Sequence, residues 1–179
     1  MPAIRQFDGQ IAQYRGEELV VYFGYPQAHD EDPQRAIRAG LRLVDVLGKQ
    51  PPRLAHEHGI HWAVRVGVHT GMVVVGPLDD GRPHDRWALG DTPTLAAQLH
   101  ERAVPDTVVI SAATQRLIHG YFLCHPLGAQ PGQGMATPLQ AYRVVRESEA
   151  QHHDAETCLQ QALDVSRLQE AKALLEALA

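Results

Sequence analysis

The chain has 179 residues, 44% of them apolar and 21% charged, with a formal net charge of -5. That length suits one compact domain with a short appendage, and an acidic balance without any lysine-arginine run excludes the clustered basic surface that nucleic acid normally requires. No apolar run approaches the roughly 18 residues of a membrane span, and the opening MPAIRQFDGQ lacks the apolar core of a secretion signal, so the expected location is the cytoplasm.

Residues 10 to 14 and 19 to 23 are two β-rich runs around Gly16-Glu17-Glu18, the spacing of a tight hairpin whose glycine takes positive φ. Asp32 is expected to cap a helix with Pro33 at its first position, and Ile37, Leu41, Val44 and Leu47 recur at helical spacing until Gly48, Pro51 and Pro52 end it. Over residues 62 to 68 the valines 64, 66 and 68 share one face and Arg65 takes the other. A second apolar run, Met72 to Val75, follows Gly71, which predicts another hairpin. Asp91, Thr92 and Pro93 open a second helix with Leu95, Ala96, Leu99 and Ala103 inward. Thr107 to Ile110 reads as a strand, and Ser111 as the cap of a helix over 112 to 118. Strands near 121 to 127 and 139 to 145 close a body spanning residues 1 to 146. Helices and strands joined in part by hairpins predict an α+β fold with a largely antiparallel sheet. Residues 147 to 179 form a second region, a tail whose leucines and alanines fit two amphipathic helical segments similar to part of a tetratricopeptide unit. A helix packed back on its own domain is the alternative for that tail.

Cys124 and Cys158 stand in unrelated contexts without metal or redox spacing and read as unpaired thiols. The cluster His56, Glu57, His58, His61 lacks the H-E-x-x-H helical spacing of a zinc site, and the glycines 71 and 76 are followed by no lysine-serine or lysine-threonine pair, which excludes a P-loop. Taken alone, Glu17 and Glu18 are a solvated acidic turn. Trp87 reads as an interface or core aromatic. Arg65, a guanidinium in a valine strand beside Ala63 and Gly67, has room for a ligand or a partner carboxylate.

The ordered segments YFGYPQAHDEDPQRAIRAGL, WAVRVGVHTGMVVVG, ALGDTPTLAAQL, TVVISAAT and LGAQ...PLQAYRVV resemble the class III adenylate and guanylate cyclase catalytic domain. Within that family they are most similar to the bacterial subfamily in which such a domain precedes ATPase and tetratricopeptide modules. The resemblance implies a ferredoxin-like cyclase fold and head-to-tail pairing of two domains, as a homodimer or with another cyclase domain, through the region Asp91 to Ala103. It also implies conversion of ATP, or GTP, to a cyclic nucleotide and pyrophosphate, with two magnesium or manganese ions neutralising the triphosphate.

Carried position by position, the resemblance is incomplete. The first metal aspartate belongs to a strand that would precede Met1. The second metal position is Glu17. The asparagine and arginine that orient ribose and stabilise transition-state charge fall on Thr94 and Gln98, and the base-recognising positions on Gln13 and Trp87. Arg65 matches the arginine that contacts the terminal phosphates. Glutamine at 98 lacks the charge-assisted donors a phosphate oxyanion calls for, and loss of one such donor typically costs about 100- to 1000-fold in rate. Three expectations follow from retained framework beside altered chemistry: a catalytically impaired regulatory or dimerisation module in signalling, a working nucleotide cyclase, or a gene fragment whose uncovered sheet edge pairs with another strand.

Overall fold

The computed structural model describes residues 2–48, 63–77, 86–130 and 138–148. The tail, the His56 to His61 cluster and Cys158 lie outside them. A short helix α1 (Pro2–Arg5) leads into β1 (Gln10–Arg15) and β2 (Glu18–Tyr22), which pair antiparallel about Gly16 and Glu17. Gly16 has φ of 62°, the left-handed value that glycine reaches without a Cβ penalty, so the expected hairpin forms, with Glu18 inside the second strand rather than in the turn.

Helix α2 (Asp32–Gly48) follows a turn in which the Asp32 carboxylate accepts the His29 backbone N–H at 2.6 Å. Asp32 is thus the first residue of the helix, and its side chain turns back toward the preceding loop. Ile37 is fully buried, and Leu41 and Val44 pack beside it against the sheet, as their helical spacing requires.

The main sheet has four strands in the order β3 (Arg65–Val68), β6 (Thr107–Ser111), β8 (Leu139–Glu147), β7 (Phe122–Gln130). β6 is parallel to β3 and antiparallel to β8, which in turn is antiparallel to β7. Between β3 and β6 the chain passes through β4 (Val74–Pro77), β5 (Arg86–Leu89) and helix α3 (Asp91–Arg102), and β4 and β5 form their own two-stranded ribbon. The expected hairpin between residues 62 to 68 and 72 to 75 is therefore corrected: β3 takes β6 as its partner, and β4 takes β5. The reason lies in β6, whose Val108, Val109 and Ile110 are each at most 1% exposed, the pattern of a strand covered on both faces. A crossover through α3 returns the chain parallel to β3, as a parallel pair requires.

Alternation along β6 divides the core. Val108 and Ile110 join Ile37, Phe122, Val144 and Ile118 on the side of α2, whereas Val109 joins Leu95, Leu99, Ala103, Leu139 and Ala141 on the side of α3. A Cβ added at Gly67 would stand 3.0 Å from the His100 Cα and closer still to the Ala96 carbonyl oxygen and the His100 backbone nitrogen. Only glycine lets α3 lie this close to β3. Ser111 caps α4 (Ala112–Leu117) as expected, its hydroxyl accepting the Thr114 N–H at 3.2 Å.

Candidate active site

Six side chains carry the expectations from sequence, and they fall on four separate pieces of the fold. Glu17 is exposed at the tip of the β1–β2 turn, and Gln13 lies in β1 opposite Val20, next to an irregularity in the ladder between Ile11 and Gln13. Arg65 is the first residue of β3, exposed, and opposite Thr107. Trp87 stands in β5 opposite Gly76.

Thr94 and Gln98 lie one turn apart on α3, so they share one side of the helix. Their environments differ: Thr94 is exposed, while Gln98 is only 6% exposed. The Gln98 backbone carbonyl accepts a hydrogen bond from Arg102 Nη1 at 2.7 Å. A neutral amide suits this buried position in the single chain, since an unpaired guanidinium there would lose its hydration.

No set of three or more His, Cys, Asp or Glu side chains among the described residues is arranged to hold a metal ion. Glu18, next to Glu17, lies 4.0 Å from His100 Nδ1 on α3. Glu17 is thus a lone carboxylate on a solvated turn, and the described residues do not fit the paired-carboxylate clamp that two divalent ions need.

A polar cluster that sequence reading did not single out lies beneath the C-terminal ends of β3 and β6. His69 Nδ1 is 2.7 Å from Ser111 Oγ, Ser111 Oγ is 3.2 Å from Thr114 Oγ1, and Thr114 Oγ1 is 3.1 Å from Thr70 Oγ1. Ser111 and Thr114 are buried, and burial pushes the His69 imidazole below its ordinary pKa. These hydroxyls tie the His69-Thr70-Gly71 turn to the start of α4. Thr92 extends the arrangement by donating its hydroxyl to the Met72 carbonyl at 2.9 Å, so the first turn of α3 is fixed to the same turn. The available signal was the recurrence of hydroxyl residues after two adjacent valine strands, HT after the first and SAAT after the second.

The model of the adenylate and guanylate cyclase catalytic domain matches residues 4–144, most of the chain. The protein belongs to this family. Adenylate cyclase 1 of Rhizobium meliloti (strain 1021) is 26% identical over 140 residues, which are 77% of this chain and 21% of the relative, so the cyclase domain spans about a fifth of that protein. The adenylyl cyclase CyaB from P. aeruginosa superposes with a TM-score of 0.75 at 22% identity, covering 83% of this chain and 77% of that one. The guanylate cyclase domain of RhGC from Catenaria anguillulae, solved in complex with GTP, gives 0.73 at 22% identity, with 82% and 78% covered. These likenesses place the α+β architecture of this cyclase-family domain among solved cyclase domains. Among the described residues, no helix of the domain is long and apolar enough to cross a membrane.

Proposed function

We propose that the protein is a cyclase-homology domain that acts in intracellular signalling as a regulatory or dimerisation module, with its nucleotide cyclase turnover impaired. The observation that carries the reading is helix α3: the position of the family's asparagine holds an exposed Thr94, and the position of its arginine holds a buried Gln98. In the family's reaction the ribose 3'-hydroxyl attacks the α-phosphate and pyrophosphate leaves, so negative charge accumulates on phosphate oxygens. Removal of one stabilising donor costs about 100- to 1000-fold. With Glu17 as a lone turn carboxylate, the metal half of such a site is reduced as well. Magnesium or manganese would supply charge neutralisation in an active member, and this chain offers no second carboxylate among its described residues to share that task.

Arg65 remains exposed at the start of β3, and a guanidinium there suits a bidentate contact with a terminal phosphate. Binding of ATP therefore outlives turnover in this reading. The pairing surface is proposed to run along α3 from Asp91 to Ala103 and onto the neighbouring segment, where Met72 is 94% and Val74 69% exposed. A run of exposed apolar side chains joined to α3 through the Thr92–Met72 bond is the kind of surface a partner domain covers. The partner is a second copy or another cyclase domain.

The test is to incubate the purified chain with ATP, and separately with GTP, in excess manganese and to quantify cyclic nucleotide against an Arg65→Ala variant. Product at the variant's level, from folded protein that shows an ATP-dependent thermal shift lost in the variant, is the expected result. Product clearly above the variant's level overturns the impaired reading and makes Glu17 a working metal ligand.

A further inference from the structure

Two strand edges of the fold carry no ladder partner among the described residues: β2 pairs only with β1, and β3 pairs only with β6. Neither strand has the composition of an exposed edge. Leu19, Val20 and Val21 are consecutive, so β2 is apolar on both faces, and all three are half-buried rather than alternating. That is the pattern of an interior strand with layers above and below. Edges left exposed in soluble proteins are usually blunted by lysine, proline or bulges, and the described part of β2 contains neither lysine nor proline.

The same two helices hold both units. On one side, Asp8 just before β1 pairs with Arg35 of α2 at 3.0 Å, while Leu41 and Val44 of α2 pack with Val66 and Val68 of β3. On the other side, Glu18 at the start of β2 lies 4.0 Å from His100 of α3, whose backbone rests on Gly67 of β3. The hairpin and the main sheet are thus fastened to α2 and to α3, yet no strand hydrogen bond joins them.

We propose that the open edges of β2 and β3 are the two sides of one slot, which accepts a single β-strand supplied in trans by another polypeptide. The occupant is set by the surroundings. Helices on both faces leave no room for the edge of a second folded domain, whose own helices would collide with α2 and α3, so the guest is a lone extended segment. Its side chains would alternate between the Ile37, Leu41, Val44 layer and the Leu95, Leu99 layer, both apolar, so the guest is apolar on both faces. β2 is five residues long and β3 four, so about five residues suffice. Main-chain hydrogen bonds to both neighbours would give affinity, and the two apolar layers selectivity, as in strand-addition recognition. The inference stands independently of whether the domain turns over nucleotide.

The test uses the whole chain and a synthetic peptide with the β6 sequence TVVIS between single lysines, because β6 is this fold's own strand buried on both faces. Amide hydrogen exchange is followed at residues 18–22 and 65–68, with β7 and β8 as internal reference. At ten times the peptide's dissociation constant, exchange at both edges is expected to slow about tenfold while the reference strands stay unchanged. A peptide with proline at its central valine, which lacks a ladder donor, is expected to do nothing. Slowing at one edge only, slowing at neither, an equal effect of the proline peptide, or a dimer of the free chain with both edges already protected would each overturn the slot.

Discussion

Replacing Gly67 with alanine tests the closest approach in the fold. The new Cβ would meet the Ala96 carbonyl oxygen and the His100 backbone nitrogen inside van der Waals contact, with the His100 Cα at 3.0 Å. All three are backbone atoms of a twelve-residue helix, so no side chain can swing aside and α3 itself must lift. Ordinary contact begins near 3.4 Å, which requires a displacement of about 1 Å along the helix and loosens Leu95, Leu99 and Ala103 from Val109. Overpacking of this kind costs about 1 to 3 kcal/mol, and a backbone clash belongs at the upper end. A loss of about 3 kcal/mol corresponds to roughly 6 to 12 °C in melting temperature for a domain of this size. The matched control is Gly76→Ala in β4, where an added Cβ meets nothing within 4 Å. That change should be neutral or stabilising by up to about 1 kcal/mol, since glycine weakens strand interiors. Urea unfolding of both variants, read by circular dichroism, separates them. A Gly67→Ala cost below about 1 kcal/mol with an unchanged m-value would refute the packing argument.

Further expectations concern the polar cluster, the core and Arg65. His69 has a lowered folded pKa, so the unfolded chain binds its proton more readily; its contribution to stability is full above about pH 6.5 and is lost as pH falls from there through the lowered value. Urea midpoints at pH 7.5 and 5.5 should therefore converge in a His69→Gln variant relative to wild type, and equal pH sensitivity in both would sink this assignment. Ser111→Ala removes the α4 cap and the partner of His69 at a site 1% exposed, and should cost about 2 kcal/mol in chemical denaturation. Leu99→Ala, at a fully buried position, should cost about 3 kcal/mol by the same measurement. Arg65→Ala should change stability by less than about 0.5 kcal/mol because the side chain is exposed, so any loss of ATP binding in that variant reads as a lost contact rather than unfolding.

The parts of the fold legible in sequence are those whose signal is local. The β1–β2 hairpin is announced by apolar runs around Gly16, α2 by the spacing of Ile37, Leu41 and Val44, and the α4 cap by Ser111. Pairing between β3 and β6 was not legible, because residues 65 to 68 find their partner about forty residues onward and the nearer run at Val74 to Pro77 looks equally suitable. Asp32 misled in a small way: its carboxylate serves the His29 N–H before the helix. At the site, the family positions were found by resemblance, but periodicity alone did not separate exposed Thr94 from buried Gln98, since both sit on one side of α3. The hydroxyl chain from His69 to Thr70 joins residues from β6, α4 and the turn after β3, and no single stretch of sequence displays it.

Asp106 holds the start of the parallel pair together. It adopts φ of 60°, its carboxylate accepts the Val64 N–H at 3.0 Å, and its own N–H donates to the Val64 carbonyl at 2.7 Å. A two-residue turn sets the register of β1 and β2 during their first encounter, whereas this clip can close only after some forty intervening residues have folded through β5 and α3. Loop closure over that length is slow relative to a hairpin. The order of assembly that follows is hairpins first, then α3, then the marriage of β3 to β6. During synthesis and refolding β3 is therefore the strand that waits longest for any partner, and in the finished molecule it still shows one open edge. Both in time and in space, mispairing of this chain with a foreign strand has its entry at Arg65 to Val68.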